Sequence, residues 1–81
     1  MIFSQIGSRK MIEAEFNSEI YSQKAISIAA EAYKDLAEIS ISVTPEESLV
    51  IFDHCKFDEE QTVKEFGNYV IDIMNQRNGN I

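Results

Sequence analysis

The sequence predicts a single α+β domain of β-α-β-β-α order, with a three-stranded antiparallel sheet and two helices on one face of it. Three patterns lead there. Residues 11–16 and 39–43 alternate apolar and polar side chains, the period-two mark of half-buried strands. Residues 22–37 and 58–78 carry apolar side chains at helical spacing. Between them lies Leu49-Val50-Ile51-Phe52, apolar at every position.

Taken in order, residues 1–10 form a leader in which Gly7-Ser8 is turn chemistry. Ile2, Phe3 and Ile6 make the leader either an extra strand or a segment that docks on an apolar surface. In residues 11–16, Ile12, Ala14 and Phe16 share one side and Glu13 and Glu15 the other, and Asn17-Ser18 ends the strand. Ser22 is the expected N-cap of the first helix. Tyr21, Ala25, Ile28, Ala29, Ala32 and Leu36 form one apolar stripe on it, and Ile26, Ala30, Tyr33 and Ala37 an adjoining second. Together they span roughly 200° of the helical wheel, about twice what a helix on a single core requires. The second stripe is therefore expected to stay wet unless another chain covers it.

Residues 39–43 alternate through Ser40 and Ser42 as a half-exposed strand, and Pro45 presets the turn that follows. The strand through residues 49–52 continues to about Cys55, and its two apolar sides suit a central position. A right-handed crossover joins the first two strands and the third inserts between them, which leaves the strand at 11–16 as an open edge. The last helix opens on a capping-box spacing, Asp58 to Gln61, with Glu59 and Glu60 at the positive end of the dipole. Val63, Phe66, Val70, Ile73 and Met74 form its core stripe, and Gly79 its stop.

Composition narrows the function. A chain of 81 residues buries roughly 60–65% of its unfolded surface, so a partner chain, a metal or a disulfide commonly supplements such a core. The single cysteine, Cys55, excludes an intrachain disulfide and points to a reducing compartment. Polar Ser4, Gln5 and Ser8 interrupt any signal-peptide pattern, and no run approaches the roughly 18 apolar residues of a membrane span. The expected location is cytoplasmic. Seven basic residues face fourteen acidic ones, a net charge of −7, which excludes nucleic acid and anionic membranes as expected partners.

Catalytic residue types cluster only at Asp53-His54-Cys55. On one strand His54 and Cys55 point to opposite faces and cannot act as a nucleophilic pair. A zinc site needs about four ligands, which this chain supplies only if a symmetric dimer pools both residues. No phosphate-binding loop is present, and no cofactor is expected. Gly67 inside the last helix is either simply tolerated, at about 1 kcal/mol relative to alanine, or a place where another backbone approaches closely. Arg77 lies at the helix's end, near the apolar stripe. Ile26, Ala30, Tyr33, Ala37, Gly67 and Arg77 are thus the expected partner or dimer interface, in a protein expected to bind another protein, and itself as a homodimer, rather than to catalyse.

The run EFNSEIYSQKAISIAAEAYKDLAEISI resembles the front half of HxsD proteins of the His-Xaa-Ser system, and EFGNYVIDIMNQR resembles their C-terminal helix through Phe66, Asn68 and Arg77. The likeness spans most of residues 13–77. Asp72 stands where the family has asparagine, Ile73 replaces its aspartate, and Gln76 replaces the leucine before its arginine. The resemblance implies a small accessory protein beside radical-SAM enzymes that modify a peptide, with the enzyme or its peptide substrate as partner, and it carries over no catalytic residue. The element order is also similar to the small dimerisation subunit of the KEOPS tRNA-modifying complex, a likeness of architecture.

Overall fold

The structure, a computed structural model, describes the backbone of residues 2–5 and 11–79 and the side chains of residues 11–76. Its elements are β1 (Ile2–Gln5), β2 (Met11–Asn17), α1 (Gln23–Ala32), β3 (Glu38–Val43), β4 (Glu47–Asp53) and α2 (Glu59–Gly79). The expected three-stranded β-α-β-β-α domain is present, with β4 inserted between β2 and β3. A fourth strand joins it: β1 pairs antiparallel along β2, so the sheet order is β1-β2-β4-β3. The leader is therefore a strand over Ile2–Gln5, and the edge of residues 11–16 expected to lie open is paired. The expected turn at Gly7-Ser8 lies outside the described residues.

Local chemistry sets each boundary. Asn17 closes β2: its carbonyl accepts the amides of Ile20 and Tyr21, and its side-chain Oδ1 accepts that of Glu19 at 2.8 Å. Ser22 caps α1, its hydroxyl accepting the Ala25 amide at 3.3 Å. Asp58 caps α2, its carboxylate accepting the Gln61 amide at 3.0 Å. Gln61 does not complete the box; its amide group donates to Glu65 at 2.9 Å instead. Helix α1 stops at Ala32, earlier than its apolar pattern suggests. The chain has to turn through residues 33–37 to enter the sheet, and the Leu36 carbonyl is held by the Lys56 amide at 2.9 Å.

The core lies between the helices and one face of the sheet. Ile12, Ala14 and Phe16 of β2 and Val50 and Phe52 of β4 are all fully buried, as are Val63, Phe66 and Val70 of α2. Each such branched or aromatic side chain contributes about 1.5–3 kcal/mol. Phe66 is the hub: its ring meets Phe52 at 4.9 Å, Tyr33 at 5.5 Å and Phe16 at 5.8 Å, all near edge-to-face. The core stripe of α2 is the expected one, and Gln61, Lys64, Asn68, Asp72 and Asn75 opposite it are exposed. Among the described residues, no helix is long and apolar enough to cross a membrane.

Helix α1 departs from expectation in its rotation. Ala25, Ile26 and Ala29 are fully buried, and Ala30 and Tyr33 pack against the core. Most of the second stripe is thus core, while Ile28 and Ala32 of the first lie exposed. The reason is α2: α1 packs on that helix as well as on the sheet, as Tyr33 against Phe66 shows, and two neighbours absorb the wide apolar arc.

Candidate functional site

The residue types that suggested chemistry diverge in space. Strand β4 ends at Asp53, and His54 takes a left-handed backbone with φ of 53°, so it is a turn residue rather than a strand residue. Cys55 then points into the core and is buried. His54 stays exposed, its Nδ1 3.5 Å from both Glu38 Oε2 and Asp53 Oδ1. Its backbone amide donates to Asp53 Oδ1 at 2.8 Å. Glu38, Asp53 and His54 together offer three donor atoms within 4.8 Å of one another. These are the residues with which this chain would hold a divalent ion. An exposed imidazole between two carboxylates is equally an ordinary ion pair of a protonated histidine.

Most of the expected interface residues serve the fold. Ile26 and Ala37 are core residues, Gly67 is buried within α2, and Ala30 and Tyr33 are half-buried against the core. Ile26 is fully covered, whereas Ala30 and Ala37 border the groove beside β3. The side chain of Arg77 lies outside the described residues.

A different place is open. Strand β3 ends the sheet, and among the described residues no strand pairs with its outer side. The Thr44 amide donates to the Glu47 carbonyl at 2.8 Å, which makes 44 and 47 a hydrogen-bonded pair. Counting along the register, 42–49, 40–51 and 38–53 carry the ladder to β4. Ile39, Ile41 and Val43 therefore turn their amides and carbonyls outward. A groove of about 520 Å³ runs between this edge and α1, with Ile39 and Ile41 on the strand side and Ser27, Ala30, Glu31 and Lys34 on the helix side. The small side chains of Ser27 and Ala30 keep it open. Glu31 and Lys34 form an exposed ion pair on its lip at 2.8 Å.

The sheet face away from the helices borders this edge. Its residues are the half-buried alternates Met11, Glu13 and Glu15 of β2 and Leu49, Ile51 and Asp53 of β4, with Glu38, Ser40 and Ser42 of β3. The run at residues 49–52 that promised burial on both sides is buried on one only: Val50 and Phe52 are covered, Leu49 and Ile51 half so. No lysine or arginine occurs in β2, β3 or β4, and this face carries Glu13, Glu15, Glu38 and Asp53, the last two flanking the His54 imidazole.

Sequence reasoning passed over β3 because Ser40 and Ser42 read as simple solvent exposure. Strand order, which decides the edge, was visible only through the predicted insertion of the third strand. The fold and this edge define a small α+β domain in which, among the described residues, the outer side of β3 is unpaired beside a groove. No protein-family model, curated protein or solved structure matches the chain.

Proposed function

We propose that this chain is a non-catalytic protein-binding subunit, accessory to a radical-SAM enzyme system that modifies a peptide. The observation that supports binding is the outer edge of β3, whose unpaired backbone lies beside an open groove. The resemblance of residues 13–77 to HxsD proteins supports the particular system. Catalysis draws no support from the site, since Cys55 is buried away from His54.

Affinity capture at native expression tests the proposal, comparing the wild type with Val43→Pro. Proline there removes an outward amide and leaves the pairing with β4 intact. A co-purifying iron–sulfur enzyme, or its peptide, lost from the variant is the expected result. Recovery of no stoichiometric protein overturns it. A second reading is favoured by the same edge: a scaffold that pairs with its own copy, in which case the purified protein has twice the monomer mass and the variant does not.

A further inference from the structure

We propose that Glu38, Asp53 and His54 form a binding site for one divalent transition ion of the zinc class, with water in the fourth position. The site goes beyond the protein-binding reading and does not depend on it. Glu38 opens β3 and Asp53 closes β4, and the two are register partners, so both carboxylates stand on the sheet face away from the helices. His54 follows directly, and its left-handed backbone, with φ of 53°, is the turn by which the chain leaves β4. One nitrogen and two carboxylate oxygens, drawn from two strands and a turn, thereby come within 4.8 Å of one another.

The spacing separates a metal site from a hydrogen-bonded ion pair. Both carboxylates approach the same ring nitrogen, Nδ1, at 3.5 Å each. That nitrogen carries one proton or one lone pair, so as a donor it serves one oxygen well. Both separations also exceed the roughly 2.7–3.2 Å of an N–H···O bond. Around a tetrahedral zinc with arms of about 2.0–2.2 Å, neighbouring donors stand about 3.3–3.6 Å apart. Two of the three edges of such a site are therefore already set, and rotation of the exposed Glu38 side chain closes the third. Asp53 keeps other partners while it ligates, because a carboxylate offers about four lone-pair positions. Its Oδ1 accepts the His54 amide at 2.8 Å, the kind of bond that orients a ligating carboxylate. A nitrogen among the donors suits zinc and its neighbours better than magnesium, which takes oxygen ligands in octahedral geometry. Three protein ligands with an open fourth position are the pattern of zinc sites that hold a water.

The test titrates zinc into the full chain, stripped of metal by chelation and carrying no added histidines. NMR reads the His54 ring nitrogens, and Tm is followed in parallel. One zinc per chain is expected to bind with a Kd below about 100 μM, with the larger ring shift at Nδ1. Zinc at ten times that Kd should raise Tm by about 5–10 °C. Glu38→Gln and His54→Gln change exposed side chains, and each should weaken binding at least about tenfold. Asp53→Asn keeps an acceptor for the His54 amide and should weaken zinc binding as much. Magnesium at the same concentration should leave the ring nitrogens unmoved. Unchanged zinc affinity in Glu38→Gln reduces the site to a lone histidine and overturns the proposal. Equal responses to magnesium and zinc leave only attraction to an acidic surface and also overturn it. Loss of binding in Cys55→Ala, or no ring shift up to about 1 mM zinc, overturns it as well. The capture comparison with Val43→Pro judges the protein-binding reading separately.

Discussion

Phe66 carries more of the fold than its single position suggests, and shortening it measures how much. The side chain is fully buried and its ring touches aromatic partners from β2, β4 and the end of α1. Replacement by alanine removes the ring's transfer energy and leaves a cavity whose walls come from every layer, about 3–5 kcal/mol for a buried phenylalanine. Edge-to-face pairs are each worth about 0.5–1.5 kcal/mol beyond burial, and three are lost here, so the upper end applies. A domain of this length has roughly 4–12 kcal/mol in all at the usual stability per residue. Phe66→Ala is therefore expected to remove a large share of that stability, and all of it if the domain lies at the low end. Phe66→Leu keeps an apolar side chain and should cost about 1–3 kcal/mol, which stays measurable. Urea unfolding followed by far-UV circular dichroism reads both, with tyrosine emission as a second probe since tryptophan is absent. Exposed Ile71, on the same helix, serves as control, and its alanine variant should stay within about 0.5 kcal/mol. A Phe66→Leu midpoint indistinguishable from that of the Ile71 variant would refute the hub.

Three further outcomes follow from single groups. Asp58→Ala removes the α2 cap and should cost about 1 kcal/mol, with Asp58→Asn recovering most of it; equal loss in both variants would show that the cap bond is not the cause. The Tyr33 phenol is held above its usual 10.0, first by burial and then by the charges of Glu65 and Tyr69. Because folding favours its neutral form, that contribution is complete below pH 10 and is lost as pH rises through the higher folded value. Tyr33→Phe should flatten the fall in Tm between about pH 9 and 11, and parallel curves for the two proteins would contradict this. His54→Gln and Cys55→Ala should both leave partner capture intact, since neither residue lies on the β3 edge; loss of activity in a complex that still assembles would revive a catalytic reading.

What the sequence made legible was periodicity. The alternation of Ile12, Ala14 and Phe16 with glutamates, and the spacing of Val63, Phe66, Val70 and Ile73, place side chains correctly because burial on one face imposes those periods directly. Caps were legible for the same reason: Ser22 and Asp58 bond within three residues of themselves. The rest depended on distant partners. Nothing in Ile2-Phe3-Ser4-Gln5 says which edge it will pair with, and an apolar arc on α1 does not say whether one neighbour or two will cover it. His54 read as a strand residue because the apolar run before it gave no stop signal; only the positive φ reveals the turn, and with it the inward course of Cys55. The outer edge of β3 was the hardest to see, since it is made of backbone, and backbone leaves no letter in a sequence.

The two ends of the sheet show how one property serves two purposes. An unpaired strand invites any other strand, and proteins usually blunt it with lysine, proline, a bulge or a cover. β1 lies along β2 and is the short edge strand of that side. β3 has no lysine and no proline within Glu38–Val43, and it faces a groove instead of a cover. Its remaining protection is charge: Glu38 on the strand and a chain at −7 overall. Charge differs from the other devices in being selective. Proline would refuse every strand, whereas net negative charge opposes the approach of other acidic segments and of a second copy that also carries −7.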